Sequence, residues 1–208
     1  MKQILTLLLR LEGPMQSWGY RSRFDYRDTA LEPTRSGVIG LICAAMGIAR
    51  GEDISQFDAI RMGVRVDKEG RPERDYHTAL DVIKADGKGT DTVVSYRDYL
   101  ADAAFTVGLE SKDEDLLGKI AGRLRDPIWT LFLGRKAFPL AVPPVGAAHC
   151  AQPGTLEQHL LSGHPKKRVV LETPGGERTQ HDWPLCFGKR LFKPRSIRTC
   201  YENKGAPR

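Results

Sequence analysis

Long apolar runs are missing from this sequence: no run of the roughly eighteen apolar residues needed to cross a membrane as a helix occurs. The N-terminal ILTLLLRL is too short, contains Arg10, and lacks both the apolar core and the small-residue cleavage site of a signal peptide. It reads as a strand, with the cytoplasm as the expected compartment and no membrane as a partner. Cysteine is sparse, and Cys43, Cys150, Cys186 and Cys200 form no CxxC pair. That spacing disfavours a zinc site, so reduced, packed thiols are expected; His149 beside Cys150 is the one conceivable metal or nucleophile pair, but adjacent side chains diverge in a strand or helix, so a structural role is expected there too. Catalytic signatures are missing too: there is no GxxxxGK[ST], no HExxH, no GxSxG and no cluster of carboxylates suited to two-metal chemistry. Neither a cofactor nor a metal is expected.

What is present is an ordinary soluble composition, 40% apolar and 28% charged over 208 residues with a net charge of +6. The excess is local. From residue 159 onward there are eleven Lys/Arg against four Asp/Glu, which leaves residues 1–158 at −1. A basic C-terminal segment is the footprint of a polyanion-binding surface, or else a solvated tail.

Periodicity gives the order of elements. KQILTLLLRL (2–11) reads as a buried strand, followed by a loop that carries Trp18. Ser36 is expected to cap a helix running to about residue 50, with Val38, Ile39, Leu41, Ile42, Ala45 and Met46 at helical spacing. IRMGVRV (60–66) alternates as a strand, and ADAAFTVGLE (101–110) reads as another. Between them the polar, glycine-rich KADGKGTD marks an excursion, a protruding hairpin. DEDLLGKIAGRL (113–124) has acids first, bases last and an apolar stripe, which predicts an amphipathic helix. IWTLFLG (128–134) is expected to form a fourth strand. The order matches an α+β, ferredoxin-like (RRM-like) βαββαβ domain over residues 1–140. A small basic, β-rich extension follows over 141–208, in which RVVLET (168–173) and LFKPRSIRTCY (191–201) can pair.

Several constellations suit RNA. In PTRSGVIGLICAAMG, Arg35, Ser36 and Gly37 stand where a helix start exposes N–H groups to a phosphate; equally, Ser36 only caps a core helix. In FLGRK, Gly134 permits close approach of a nucleic-acid backbone to Arg135 and Lys136, or the segment is a solvated turn. Tyr76, His77, Tyr96 and Arg97, with Tyr99, interleave aromatic and basic groups in the hairpin, which suits base stacking or packing of the hairpin base. Gln16 and Trp18, followed by Gly19, offer a similar mix, although a loop tryptophan also serves as a packing lid. His77 is the candidate general base for metal-free RNA cleavage, with Asp75, Asp81 and Lys84 nearby. His181-Asp182 reads as a turn.

Read together, LRLEGPMQSWG (9–19), PTRSGVIGLICAAMGI (33–48), RDYHTAL (74–80), YRDYLADAAFTV (96–107) and FLGRKAFPL (132–140) closely resemble the CasD-type subunits of the type I-E CRISPR surveillance complex, Cascade. The resemblance covers most of residues 1–140. It implies a member of the repeat-associated mysterious protein (RAMP) superfamily with a thumb hairpin at about 74–100. It also implies a non-catalytic scaffold that holds the 5′ handle of the CRISPR RNA (crRNA). Its partners would be the backbone subunit CasC, the large subunit CasA and target DNA near the PAM-proximal end. The grip on the handle would fall on Gln16–Gly19, Arg35–Gly37 and Gly134–Lys136. Related type I-C subunits cleave precursor RNA with a tyrosine, lysine and histidine set, whereas type I-E systems leave cleavage to CasE. Tyr76-His77 has no adjacent lysine, which implies the non-cleaving kind.

Overall fold

The computed structural model describes residues 3–19, 26–147, 150–164 and 166–201. The chain opens with β1 (Leu5–Glu12), whose alternation places Leu5, Leu7, Leu9 and Leu11 on one buried face. Two short strands follow, β2 (Met15–Gln16) and β3 (Tyr26–Arg27). Next comes helix α1 (Arg35–Met46), which closes on Gly47 in the left-handed conformation. The chain then forms β4 (Arg61–Lys68) and the hairpin β5 (Arg71–Ile83) and β6 (Thr90–Ala101), returning through β7 (Ala104–Ser111) to helix α2 (Glu114–Arg125). The remaining elements are β8 (Gln152–Pro153), α3 (Leu156–Leu160), β9 (Val169–Glu172), β10 (Arg178–Cys186) and β11 (Leu191–Cys200).

One antiparallel sheet of seven strands runs in the order β10-β11-β9-β4-β7-β1-β8. Helices α1 and α2 cover one face, where Val38, Ile42, Leu117 and Ile120 join the leucines of β1 and Phe105, Val107 and Leu109 of β7. Burying such side chains from water is worth about 1.5–3 kcal/mol each, so this face is the main source of stability. On the other face, Leu156 and Leu160 of α3 pack with Val169 and Leu171.

Helix α2 forms as its sequence predicts. Asp113 accepts a hydrogen bond from the Leu116 N–H at 3.0 Å, acids occupy the first turn, and Arg123 and Arg125 stand at the last. The expected hairpin is present and longer than anticipated, spanning Arg71–Ala101.

Three expectations need correction. The cap of α1 is Thr34, not Ser36: its backbone is extended (φ −77°, ψ 151°) and its hydroxyl accepts from the Gly37 N–H at 3.2 Å. The segment 128–134 is not a strand. The N–H groups of Ile128 and Trp129 donate to Ala45 O (2.9 Å) and Ala44 O (3.2 Å), so the chain is tied to the last turn of α1 rather than to a sheet edge. The place beside β1 is filled instead by the two residues of β8. The C-terminal strands do pair, but they extend the main sheet, with Gly63, Val64 and Arg65 of β4 facing Leu171, Val170 and Val169 of β9.

Candidate nucleic-acid cleft

The loop after β1 is built from the inside. Gln16 is fully buried, its Nε2 donating to Ala103 O at 2.9 Å and its Oε1 accepting from Trp18 Nε1 at 3.2 Å. An unpaired amide at such a site would cost about 1–3 kcal/mol, so Gln16 is committed to holding this loop. Trp18 is 1% exposed and lies against the start of α1. A Cβ added to Gly37 would meet the indole at 2.8 Å, so the glycine is there to admit Trp18.

The helix start already holds an anion of its own. Asp182 of β10 accepts the Arg35 N–H at 2.7 Å and receives two bonds from Arg195, at 2.6 and 2.9 Å. The Arg35 side chain, 1% exposed, donates to Glu172 at 3.0 Å and to Phe57 O at 2.9 Å, and its guanidinium lies 3.7 Å over the Trp183 ring. Burial lowers the Arg35 pKa, and burial raises that of Glu172 in spite of Arg35 beside it. The expectation that this guanidinium reaches a phosphate is therefore corrected: Arg35 fastens the C-terminal strands to α1.

Gly134 has φ +90°, and a Cβ there would lie 1.8 Å from Ser17 O. The close approach it permits is to this chain's own backbone, where Ser17 N donates to Leu133 O at 3.0 Å. That contact turns Arg135 inward to donate to Asp98 O at 2.7 Å. Lys136 stays exposed.

In the hairpin, Tyr76, Tyr96 and Tyr26 face one another in register across β5, β6 and β3. The rings of Tyr76 and Tyr96 meet edge to face at 5.7 Å and are 61% and 45% exposed. Tyr26 donates to Asp98, which raises the phenol pKa, while hydrogen bonds led by that from Arg74 lower that of Asp98. Along the next register position Arg97 lies beside Arg27. His77 is half-buried in β5, opposite Ser95.

These pieces surround a cleft of about 580 Å³. Of the residues singled out in the sequence, Trp18, Gly19, Ser36, Gly37, Arg97, Gly134 and Arg135 line it. Gln16 and Arg35 lie buried behind its wall, and Tyr76, His77, Tyr96 and Lys136 lie outside it. Sequence reasoning missed Arg27, Arg50, Phe187, Arg190 and Phe192 and read His181 as part of a turn, whereas it lies in β10; with Ser17, Asp28 and Thr34 these complete the lining. Of these, His181, Phe187, Arg190 and Phe192 fall in the basic C-terminal segment, whereas nothing in the sequence marked Arg27 or Arg50.

The cleft carries five arginines alongside Asp28. Arg10, Arg61, Arg65, Arg168 and Arg178 each meet a carboxylate. Among the described residues, Arg27, Arg50, Arg97, Arg135 and Arg190 form no ion pair. Burial, and after it repulsion by Arg97, pulls the Arg135 pKa below its ordinary value, against the opposing pull of Asp75 and Asp98. Such a cleft suits a polyanion. No grouping of three or more His, Cys, Asp or Glu able to hold a metal occurs among the described residues. His149 lies outside them, and Cys150 is exposed.

Residues 6–198 match the family described as CRISPR-associated protein (Cas_Cas5). The chain is 36% identical over 154 residues to the CRISPR system Cascade subunit CasD of Escherichia coli (strain K12), covering 66% of this chain and 68% of that one. Among solved structures it superposes on a chain of a CRISPR RNA-guided surveillance complex with a TM-score of 0.79 and 32% identity, over 95% of this chain and 90% of that one. It superposes on a chain described as a Cas protein with a TM-score of 0.74 and 40% identity, over 96% and 95%. A match spanning nearly the whole chain, with relatives of this identity, makes the protein a member of the CRISPR-associated Cas5 family.

Proposed function

We propose that this chain is a non-catalytic RNA-binding subunit of a Cascade-type CRISPR surveillance complex, and that the arginine-lined cleft anchors the 5′ handle of the crRNA. The observation that carries this reading is the meeting of Arg27, Arg50, Arg97, Arg135 and Arg190, free of ion pairs among the described residues, at one cleft. Arginine forks match phosphate oxygens, and a bent single strand passing through would be held by shape and charge rather than by sequence. Kinship with CasD supports the assignment.

The hairpin β5–β6 acts as the thumb. Leu80, Ile83 and Val93, exposed at 71%, 74% and 42%, suit contact with the backbone subunit CasC, while the large subunit CasA abuts the handle end. We read β1-α1-β4 and β7-α2 as a ferredoxin-like unit whose fourth strand has dwindled to β8.

The test is the salt dependence of handle-RNA binding. Arg27→Ala combined with Arg135→Ala should weaken binding and flatten the log–log salt slope by about 0.7 for each phosphate that is no longer neutralised. An unchanged slope and affinity would sink the assignment.

A further inference from the structure

The C-terminal hairpin brings more than charge to the cleft. Its turn, Phe187 to Arg190, is pinned where Gly188 N donates to Arg50 O at 2.6 Å. Phe187 is packed against the main core, its ring tip 3.8 Å from where a Cβ on Gly40 of α1 would stand. Phe192 sits across the hairpin, its ring meeting that of Phe187 at 6.4 Å and 71°, edge to face. Phe192 is nevertheless 40% exposed, and its exposed part lines the cleft with Arg190 and Arg50. That exposed area faces the cleft. Here one ring is anchored and holds the other at the edge of a cationic groove, the combination that proteins use to stack unpaired bases beside a charged backbone track.

We infer that Phe192, backed by Phe187, is a nucleobase-stacking wall, and that the cleft takes a single-stranded nucleotide whose base is turned onto Phe192 while its phosphates lie toward Arg50 and Arg190. The inference rests on the RNA-binding reading above and deepens it. It makes the C-terminal hairpin, which no sequence motif marked, a determinant of single-strand preference. A paired base has both faces covered and cannot enter, so the cleft discriminates against duplex.

The experiment uses the full chain with a fluorescently labelled single-stranded RNA and a blunt RNA duplex of equal length. Wild type should prefer the single strand. Phe192→Ala should lose roughly 5- to 100-fold in affinity for it, with an unchanged salt slope, and Phe192→Tyr should restore binding. Phe192→Trp gives a readout independent of any loss, because its emission should be quenched when the single strand binds and not when the duplex is added. Single-strand affinity in Phe192→Ala equal to wild type, or an unquenched Phe192→Trp in bound complex, overturns the stacking wall. Binding that falls with Arg27→Ala and not with Phe192→Ala would refute the wall alone. Absence of RNA binding by wild type would refute the RNA-binding reading with it.

Discussion

Replacing Arg35 by methionine separates a structural arginine from a phosphate-gripping one. Methionine keeps much of the side-chain volume and removes the charge. The Phe57 carbonyl then loses its donor (2.9 Å), Trp183 loses the cation stacked at 3.7 Å, and Glu172 keeps Arg195 at 3.7 Å as its ion-pair partner, with the Met62 N–H at 3.4 Å. Removing one partner of a buried pair costs about 3–5 kcal/mol. The Arg35 Nε is buried without a hydrogen-bond partner, and relief of that defect offsets part of the loss, so about 3 kcal/mol is expected. For a domain of this size the melting temperature should fall by roughly 6–12 °C. The salt slope of RNA binding, measured where the variant is still folded, should not change.

The deficit should also depend on pH. Glu172 is raised by burial in the native state, and loss of Arg35 removes a charge that lowers it, so its folded pKa rises further above the unfolded value. A raised carboxyl destabilises the fold at pH above its folded pKa and ceases to do so as it takes up its proton. The gap between wild type and variant should therefore narrow on acidification from neutral pH toward the carboxylate range. An unchanged melting temperature with a flattened salt slope would refute this account and return Arg35 to the phosphate role that its place in the sequence suggested.

Gly134→Ala should be poorly tolerated. Forcing alanine into the left-handed region costs about 1–2 kcal/mol, and its methyl would collide with Ser17 O, so both the melting temperature and RNA affinity should fall as Arg135 is displaced. A wild-type melting curve would contradict the geometry. Asp113→Ala removes the α2 cap and should cost about 1 kcal/mol in denaturant unfolding, with RNA affinity untouched; no loss of stability would discount the cap. Repeat RNA incubated with the purified chain in EDTA should stay intact. A defined cut that disappears in His77→Ala would instead establish a ribonuclease.

Much of the fold was legible because local chemistry agreed with it. Helix α2 was marked by its apolar stripe, its acids and its bases, and the hairpin by a loop too polar and glycine-rich to be buried. At the start of α1, Thr34 and Ser36 are both competent caps, and only the extended backbone at Thr34 decides between them. The segment 128–134 has the composition of a strand, but composition says nothing about where its N–H groups go, and they go to the end of a helix. The cleft was half legible. Motifs marked the Trp18-Gly19, Ser36-Gly37 and Gly134-Arg135 segments, whereas Arg27, Arg50 and Arg190 sit in stretches with no period and become neighbours only through tertiary structure. Arg35 misled for a related reason: a helix start invites an anion, and the sequence does not disclose that Asp182 is that anion.

The clasp between Arg35 and the C-terminal strands also sets an order of events during synthesis. Asp182 is 147 residues from the N–H it binds, and Glu172 is 137 residues from the guanidinium it meets. Contacts so distant along the chain form late, because loop closure must precede any gain from them. A ribosome that has released α1, the thumb and α2 has still not released the wall carrying His181, Arg190 and Phe192. The nascent chain therefore exposes a helix start without its internal anion and a groove with one side missing. Completion of the cleft therefore waits for the last strands to join the sheet, after most of the chain has been synthesised.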